Sequence, residues 1–449
     1  MRICNMHTFK RKIYNQILYW KQTSDGKRAL LVKGARRVGK STIVEEFARN
    51  EYQSYILIDF SKASKQTIDL FNDISDLNFL FLQLQMIYKV ELHERNSVII
   101  FDEVQLAPLA RQAIKHLVAD RRYDYIETGS LIGIRKYTEK IVIPSEETTI
   151  EMHPMDFEEF RWALGDTISV PLLKKCFEKQ QPMGDAVCRQ MLKDYRLYML
   201  IGGMPQSVNE YLETNNFVRV DEMKRTILAL YESDMRKIDS TGRASMMFSN
   251  VAAQLSHGGG RFQVSTVIEN QRAENILPLL EDMKASMMVN VANHCDDPNV
   301  GMSLTKNLEK FKLYMNDTGL FVTHIFKDKK AVDNIIYRKL LLDKLETNLG
   351  YLFENMVAQT LRAIGDDLFY YTFPSETSNH SYEIDFLISR DNKICPLEVK
   401  SGGYNTHPSI DEFVRKFSHR IRDKYLIYTK DFKKDKDIIL LPVYLAQFL

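Results

Sequence analysis

The chain has 449 residues, too many for one hydrophobic core and, at roughly 150 residues per domain, enough for about three. Hydrophobic residues make up 45% and charged residues 27%, which excludes a disordered or fibrous chain as the starting expectation. Lys and Arg (61) nearly balance Asp and Glu (59), so no global attraction for polyanions exists and any nucleic-acid contact has to come from a local patch.

Cys4, Cys176, Cys188, Cys295 and Cys395 are odd in number and form neither a CxxC pair nor a Cys/His metal pattern. Free thiols in a cytoplasmic protein are therefore expected. The opening segment MRICNMHTFKRKIYNQILYW breaks its apolar residues with Lys and Arg, unlike a secretory signal. No run approaches the ~18 apolar residues a membrane span needs, so no membrane partner is expected.

From Ala29 to about Met152, short apolar runs alternate with longer mixed segments. The strand candidates are ALLVKG, YILIDF, SVIIFDE, YIETGS and TTIEM, with helical stretches such as STIVEEFARN between them. This pattern predicts an α/β domain over 1–155 with a parallel sheet covered by helices.

Between the first strand and the first of these helices lies Gly34-Ala35-Arg36-Arg37-Val38-Gly39-Lys40-Ser41, which matches GxxxxGK[ST] and runs on into Thr42. Glycines let backbone N–H groups curl around phosphates, and the following helix N-terminus adds its positive dipole. Residues 34–42 are thus the candidate contacts for ATP, with Lys40 on the β and γ phosphates and Ser41 on Mg²⁺. The alternative is a glycine turn with a solvated lysine.

Further on, Val98-Ile99-Ile100-Phe101 ends in Asp102-Glu103, as expected of a buried strand whose tip faces the phosphates. Asp102 is the candidate for the Mg²⁺ shell and Glu103 for the general base. Ser130, in Thr128-Gly129-Ser130, is a candidate γ-phosphate sensor, against the alternative of a plain strand exit. Arg135 and Arg161 are candidates for an arginine finger, against the alternative of ordinary surface arginines, and a homo-oligomer that supplies the finger from a neighbouring copy stays open.

HPMDFEEFRWAL marks the exit from the sheet domain, and 156–245 reads as helical. Over 246–330 the order is helices, a Gly258-Gly259-Gly260 break, more helix and two strands (MVNVA, KFKLYMND), the order of a winged-helix unit. Its Lys284, Lys306 and Lys310 are candidate DNA phosphate contacts, although a solvated face explains them equally well. KDKKAVDNIIYRKLLLDKLETN reads as a connector, and a last α/β domain occupies 345–449.

In that last domain, Tyr382–Ile388 and Ile394–Lys400 are strand-like around an Asp391-Asn392 turn. A two-residue loop pairs Arg390 with Lys393 and sets Asp385 opposite Glu398. One face then carries Glu383, Asp385, Glu398 and Lys400, and the other carries core residues. Facing acids repel, so either a cation or solvent has to separate them. Glu354 lies on a mostly apolar face of the preceding helix and is expected to point at this sheet. Glu354, Asp385 and Glu398 are candidate Mg²⁺ ligands, with Lys400 orienting a water for attack on a phosphodiester. A charged surface without chemistry is the alternative.

With GARRVGKST, FDEVQ, TGS, HPMDFEEF, Ile201-Gly202-Gly203-Met204-Pro205, YMNDTGL, GYLFEN and EIDFLI…PLEVKS in that order, the chain resembles a large family of prokaryotic AAA-type ATPases. The family's C-terminal region has a core similar to PD-(D/E)XK nucleases, and the Asp385 and Glu398-Val399-Lys400 pattern looks like that motif. The family's usual loop is GPRQVGKT; Ala35, Arg37 and Ser41 depart from it, while Gly34, Gly39, Lys40 and a hydroxyl at 41 remain. The resemblance implies an ATPase with ATP and Mg²⁺ as cofactors, DNA as a candidate partner and a nuclease-like domain that cleaves or only binds. A nucleotide-dependent switch without nuclease chemistry is the competing function.

Overall fold

The computed structural model describes residues 8–129, 145–257, 260–328, 334–342, 350–375, 381–402 and 406–449. The chain divides into two compact units, Met1–His153 and Pro154–Leu449.

Among its described residues, unit one holds five strands, β1 (Ala29–Lys33), β2 (Ser54–Asp59), β3 (Ser97–Asp102), β4 (Asp124–Gly129) and β5 (Glu147–Glu151), in the order β2-β3-β4-β1-β5. All neighbours are parallel, so each hydrogen-bonded step needs a crossover rather than a hairpin. Helices Lys40–Glu51, Leu77–Tyr88 and Pro108–Asp120 connect β1 to β2, β2 to β3 and β3 to β4. The α/β class read from the alternation is the fold observed, a P-loop NTPase sheet. β3 and β4 are buried over their full lengths, which is why Val98-Ile99-Ile100-Phe101 reads as a continuous apolar run instead of alternating. Below β3, Phe60, Phe71 and Phe101 meet edge to face with centroids 5.4 to 6.0 Å apart.

A buried ionic group braces the same unit. Arg111, on the helix Pro108–Asp120, reaches Glu127 of β4 at 2.5 Å and Glu147 of β5 at 2.9 Å. Burial, partly offset by Arg111 and reinforced by the charge of Glu147, pushes Glu127 up to about 8. Two acids share one guanidinium away from water, and the favoured state keeps a proton on the pair.

Unit two begins with helices, including Phe157–Ala163, Asp185–Ile201, Pro205–Thr214 and Phe217–Ile238, as the middle region's composition predicts. The HPMDFEEF segment owes its helix start to a capping box in which Asp156 accepts from Glu159 N while Glu159 accepts from Asp156 N.

The Gly202-Gly203 pair does end the helix Asp185–Ile201, Gly202 taking φ +84°. It also has a second task. Asp317 caps the helix Thr318–Ile325 by accepting from Leu320 N at 2.8 Å, and its other oxygen accepts from Gly203 N at 2.6 Å. A Cβ on Gly203 would lie 2.0 Å from the Met155 carbonyl oxygen, and one on Gly319 would lie 2.5 Å from Gly202 Cα. Three stretches far apart in sequence converge there on bare backbone.

Strands β6 (Val289–Cys295) and β7 (Lys306–Met315) pair antiparallel, and β6 pairs in parallel with β8 (Leu368–Pro374). With β9 (Ser381–Arg390), β10 (Lys393–Val399), β11 (Lys424–Tyr428), β12 (Lys433–Asp435) and β13 (Ile438–Pro442) they form one mixed sheet, ordered β12-β13-β11-β10-β9-β8-β6-β7. The reading from sequence separates a winged-helix unit ending near 330 from a domain starting near 345; the sheet runs across that line. The cause is burial: every residue of β6 is buried, so both edges need partners for their backbone groups.

The segment read as a connector carries the helix Asn334–Leu341. Its Tyr337 is buried, accepting from Lys224 Nζ at 2.7 Å and donating to Asp221 at 3.1 Å. The four described cysteines are free. No described helix is long and apolar enough to cross a membrane.

Candidate functional site

The first site grows out of the C-terminal end of β1. Leaving the strand, the chain passes Gly34, where a Cβ would stand 2.4 Å from the Met152 carbonyl oxygen, so the loop is pressed against backbone. Arg37 at φ +70° and Gly39 at φ +99° then turn the chain through left-handed conformations into the helix Lys40–Glu51. Ala35 and Val38 are buried under the loop, Arg36 is half-buried, and Arg37 and Thr42 are exposed. Lys40 is itself buried, its Nζ donating to the carbonyls of Gly34 and Ala35 at 3.0 Å each.

β3 delivers Asp102 to the same place. Ser41 Oγ donates to Asp102 Oδ1 at 2.7 Å, so the loop hydroxyl and the strand carboxylate, 61 residues apart, are in direct contact. Thr128, at the end of β4 between β3 and β1, donates to the same oxygen. Glu103 follows with φ +54°, a left-handed turn rarely adopted by a glutamate, and its N–H points at Thr128 Oγ1 at 3.4 Å. Its carboxylate accepts from Gln105 Nε2.

The structure thus brings together Gly34 to Ser41, Asp102 and Glu103 as their spacing suggests. Ser130 and Arg135 lie outside the described residues. Arg161, in unit two, is held by Asp166 and Asp194 at 2.5 Å each. Three residues escaped the sequence reading. Thr128 stands beside the Ser130 singled out, and strand alternation alone did not separate them. Gln105 sits inside FDEVQ without a periodicity that marks it. Arg11 donates to Val38 O at 2.9 Å and His153 O at 2.6 Å, pinning the loop from a segment with no motif.

Unit two carries a separate acidic cluster. The turn at Asp391-Asn392 pairs Arg390 with Lys393, and the register continues to Phe386 opposite Leu397, as predicted. Asp385 accepts from Val399 N at 2.7 Å. Glu354, from the helix Gly350–Ala363, joins Glu383 and Asp385, with carboxylate oxygens of the three within 4.8 Å of one another. Glu398 takes a different place: it is buried, bound to Lys400 at 2.6 Å, with Oε2 lacking a hydrogen-bond partner among the described residues. The acids that gather are therefore Glu354, Glu383 and Asp385 rather than Glu354, Asp385 and Glu398.

A positive charge of the chain's own sits among them. Lys312 of β7 is buried, and its Nζ contacts Glu354 at 2.9 Å and also Glu383. Tyr314, two residues on and on the same face, donates to Glu354 at 2.5 Å. Burial works against the Lys312 charge, but Tyr314, Glu354 and Glu383 outweigh it and hold the ammonium well above its ordinary range. Burial, then the Glu354 charge, pushes Asp385 well up. Lys312 was hidden from the sequence reading because it lies in a strand assigned to a different domain. Of the candidate phosphate contacts, Lys306 pairs with Glu281 at 3.5 Å.

Residues 26–161 match the AAA domain family, and the loop, strand tip and sheet order described above fall within that span. Residues 192–331 and 349–446 match two domains of unknown function, DUF8612 and DUF4143. The chain therefore carries a P-loop AAA-type ATPase domain, followed by two regions whose families have no assigned function. Among curated proteins, none matches this sequence. Solved structures with some likeness include the Walker-type ATPase PABY2304 of Pyrococcus abyssi, 17% identical, covering 71% of this chain and 96% of that one with a TM-score of 0.41. Another is a signal-transduction ATPase with numerous domains and a tetratricopeptide-repeat sensor, PH0952 of Pyrococcus horikoshii, 11% identical, covering 80% of this chain and 46% of that one at 0.26. A third is protein VC1899 of Vibrio cholerae, 11% identical, covering 94% and 95% at 0.18.

Proposed function

We propose that unit one binds and hydrolyses ATP. Backbone amides of residues 34–41 and the Lys40 ammonium hold the β and γ phosphates, and Glu103 takes the proton of the attacking water. The Lys40 ammonium, resting on two loop carbonyls, is poised to exchange them for phosphate oxygens. Ser41 and Asp102 offer a hydroxyl and a carboxylate oxygen 2.7 Å apart, the hard oxygen donors that Mg²⁺ takes. When bound there, Mg²⁺ supplies charge neutralisation on the phosphates. That contact is the observation that carries the reading, because a glycine turn and an unrelated acidic strand end have no reason to meet. Loss of ATP turnover in Lys40→Ala and in Glu103→Gln tests it. With Arg161 committed to two carboxylates, an arginine finger has to come from elsewhere, and a neighbouring copy of the chain is one source.

For unit two, the position of Lys312 favours a nucleotide-dependent switch over a metal-dependent nuclease. An ammonium already sits against Glu354 and Glu383, two of the three carboxylates that a cation would need, and replacing it requires moving a buried ion pair. DNA binding through the helices before β6, with cleavage at Asp385, Glu398 and Lys400, is the competing reading. Metal-dependent nicking of plasmid by the wild type that disappears in Asp385→Ala would establish cleavage and displace the switch.

A further inference from the structure

We infer that Gln105 is a positioning residue for Glu103, holding one oxygen of that carboxylate so that the other is aimed at the attacking water. The inference rests on the reading of Glu103 as the general base.

A carboxylate only accepts hydrogen bonds, and an unrestrained one rotates among several orientations. Glu103 has two restraints. Its backbone is turned into the left-handed region at φ +54°, a conformation that survives only where the surroundings enforce it. Its N–H points at Thr128 Oγ1, and Thr128 in turn donates to Asp102, which Ser41 also bonds. The base is therefore wired through its backbone to the helix that starts in the phosphate loop. At its far end, Gln105 Nε2 donates to Oε2, leaving Oε1 open.

Gln105 lies in the short turn Val104–Leu106 that follows β3, and it is 6% exposed. Its Oε1 is buried and has no hydrogen-bond partner among the described residues. The amide is therefore held by its donated bond to Glu103 and by packing, and swinging it away would cost that bond. A water donating one proton to Glu103 Oε1 presents its lone pair outward. In the reaction that lone pair forms the new bond to the γ-phosphorus and the bond to the β-phosphate oxygen breaks. The electron pair leaves with ADP, and the water proton passes to Glu103 Oε1. A purely structural glutamine does not need the contact to the base.

Steady-state ATP turnover of the full chain, measured against ATP concentration, tests this with Gln105→Leu, Gln105→Glu and Glu103→Gln. Gln105→Leu is expected to lower kcat by about 10-fold or more, with KM for ATP held within about threefold. If the leucine variant fails to fold, judged by circular dichroism, Gln105→Glu takes its place; it removes the donated hydrogen bond and lowers kcat with KM held in the same way. A folded variant with wild-type kcat overturns the inference, as does a change confined to KM. If Glu103→Gln loses turnover while Gln105→Leu keeps it, only the role of Gln105 fails. If Glu103→Gln keeps turnover, or the wild type has none, the reading of Glu103 as base fails and takes this inference with it.

Discussion

Ser41 Oγ and Asp102 Oδ1 are 2.7 Å apart, joined by a hydrogen bond that the hydroxyl donates. This contact ties the first turn of the helix Lys40–Glu51 to the tip of β3 and brings two oxygen donors to one point. Ser41→Ala removes one donor and leaves the loop amides and Lys40 in place. Turnover supported by Mg²⁺ is expected to fall about 10-fold or more, while ADP affinity measured in EDTA stays within about threefold. Equal losses in both measurements would place Ser41 in the folding of the loop and not at the metal.

In unit two, Gly203→Ala puts a methyl 2.0 Å from the Met155 carbonyl oxygen, against backbone that cannot swing aside. The hydrogen bond from Gly203 N to Asp317 has to lengthen as the chains separate. A destabilisation of about 3 kcal/mol or more is expected in urea unfolding, at the upper end for an overpacked site. A midpoint equal to that of the wild type would show that the three stretches do not meet as described.

How much of this was visible beforehand differs between the two units. The five described parallel strands of unit one were legible within a residue or two, because buried parallel strands are continuous apolar runs and the loop between β1 and its helix has a fixed spacing. The β9–β10 register was legible for a similar reason, since a two-residue turn at Asp391-Asn392 leaves no freedom. What escaped depends on contacts that join distant stretches. Nothing local in Val289–Cys295 announces that it pairs with Leu368–Pro374, and so the domain line was drawn between them. Lys312 looked like one of several charges in KFKLYMND until the sheet brought it to Glu354, 42 residues on. Gly202 and Gly203 read as a helix-terminating turn, and only their meeting with Asp317 and Gly319 reveals a brace.

The buried group at Arg111 makes the stability of unit one depend on pH. Glu127 is raised from 4.5 to about 8, chiefly by burial, so the folded state holds its proton more tightly than the unfolded chain does. Its contribution to stability is complete below about pH 4.5 and is lost as pH rises through about 8. Thermal unfolding of the wild type is expected to shift to lower temperature between pH 6 and 9, and Glu127→Gln to flatten that slope. The same slope in both proteins would contradict the assignment.

Lys312→Met leaves Glu354, Glu383 and Asp385 without their internal cation. Breaking a buried ion pair from one side costs about 3 to 5 kcal/mol, so the variant is expected to melt well below the wild type. The same three carboxylates then present a site for a hard divalent ion, and Mn²⁺ is expected to raise the melting temperature of the variant but not of the wild type. Equal Mn²⁺ stabilisation of the wild type would show that Lys312 yields its place to a metal.

The most direct test of the central claim is isothermal titration calorimetry of ATP with Mg²⁺ into folded wild-type protein and into Lys40→Ala. Saturable binding by the wild type, weakened about 100-fold or more in the variant, is the expected result. No heat of binding from well-folded wild-type protein, or equal affinity in the two, would contradict the phosphate grip assigned to residues 34–41.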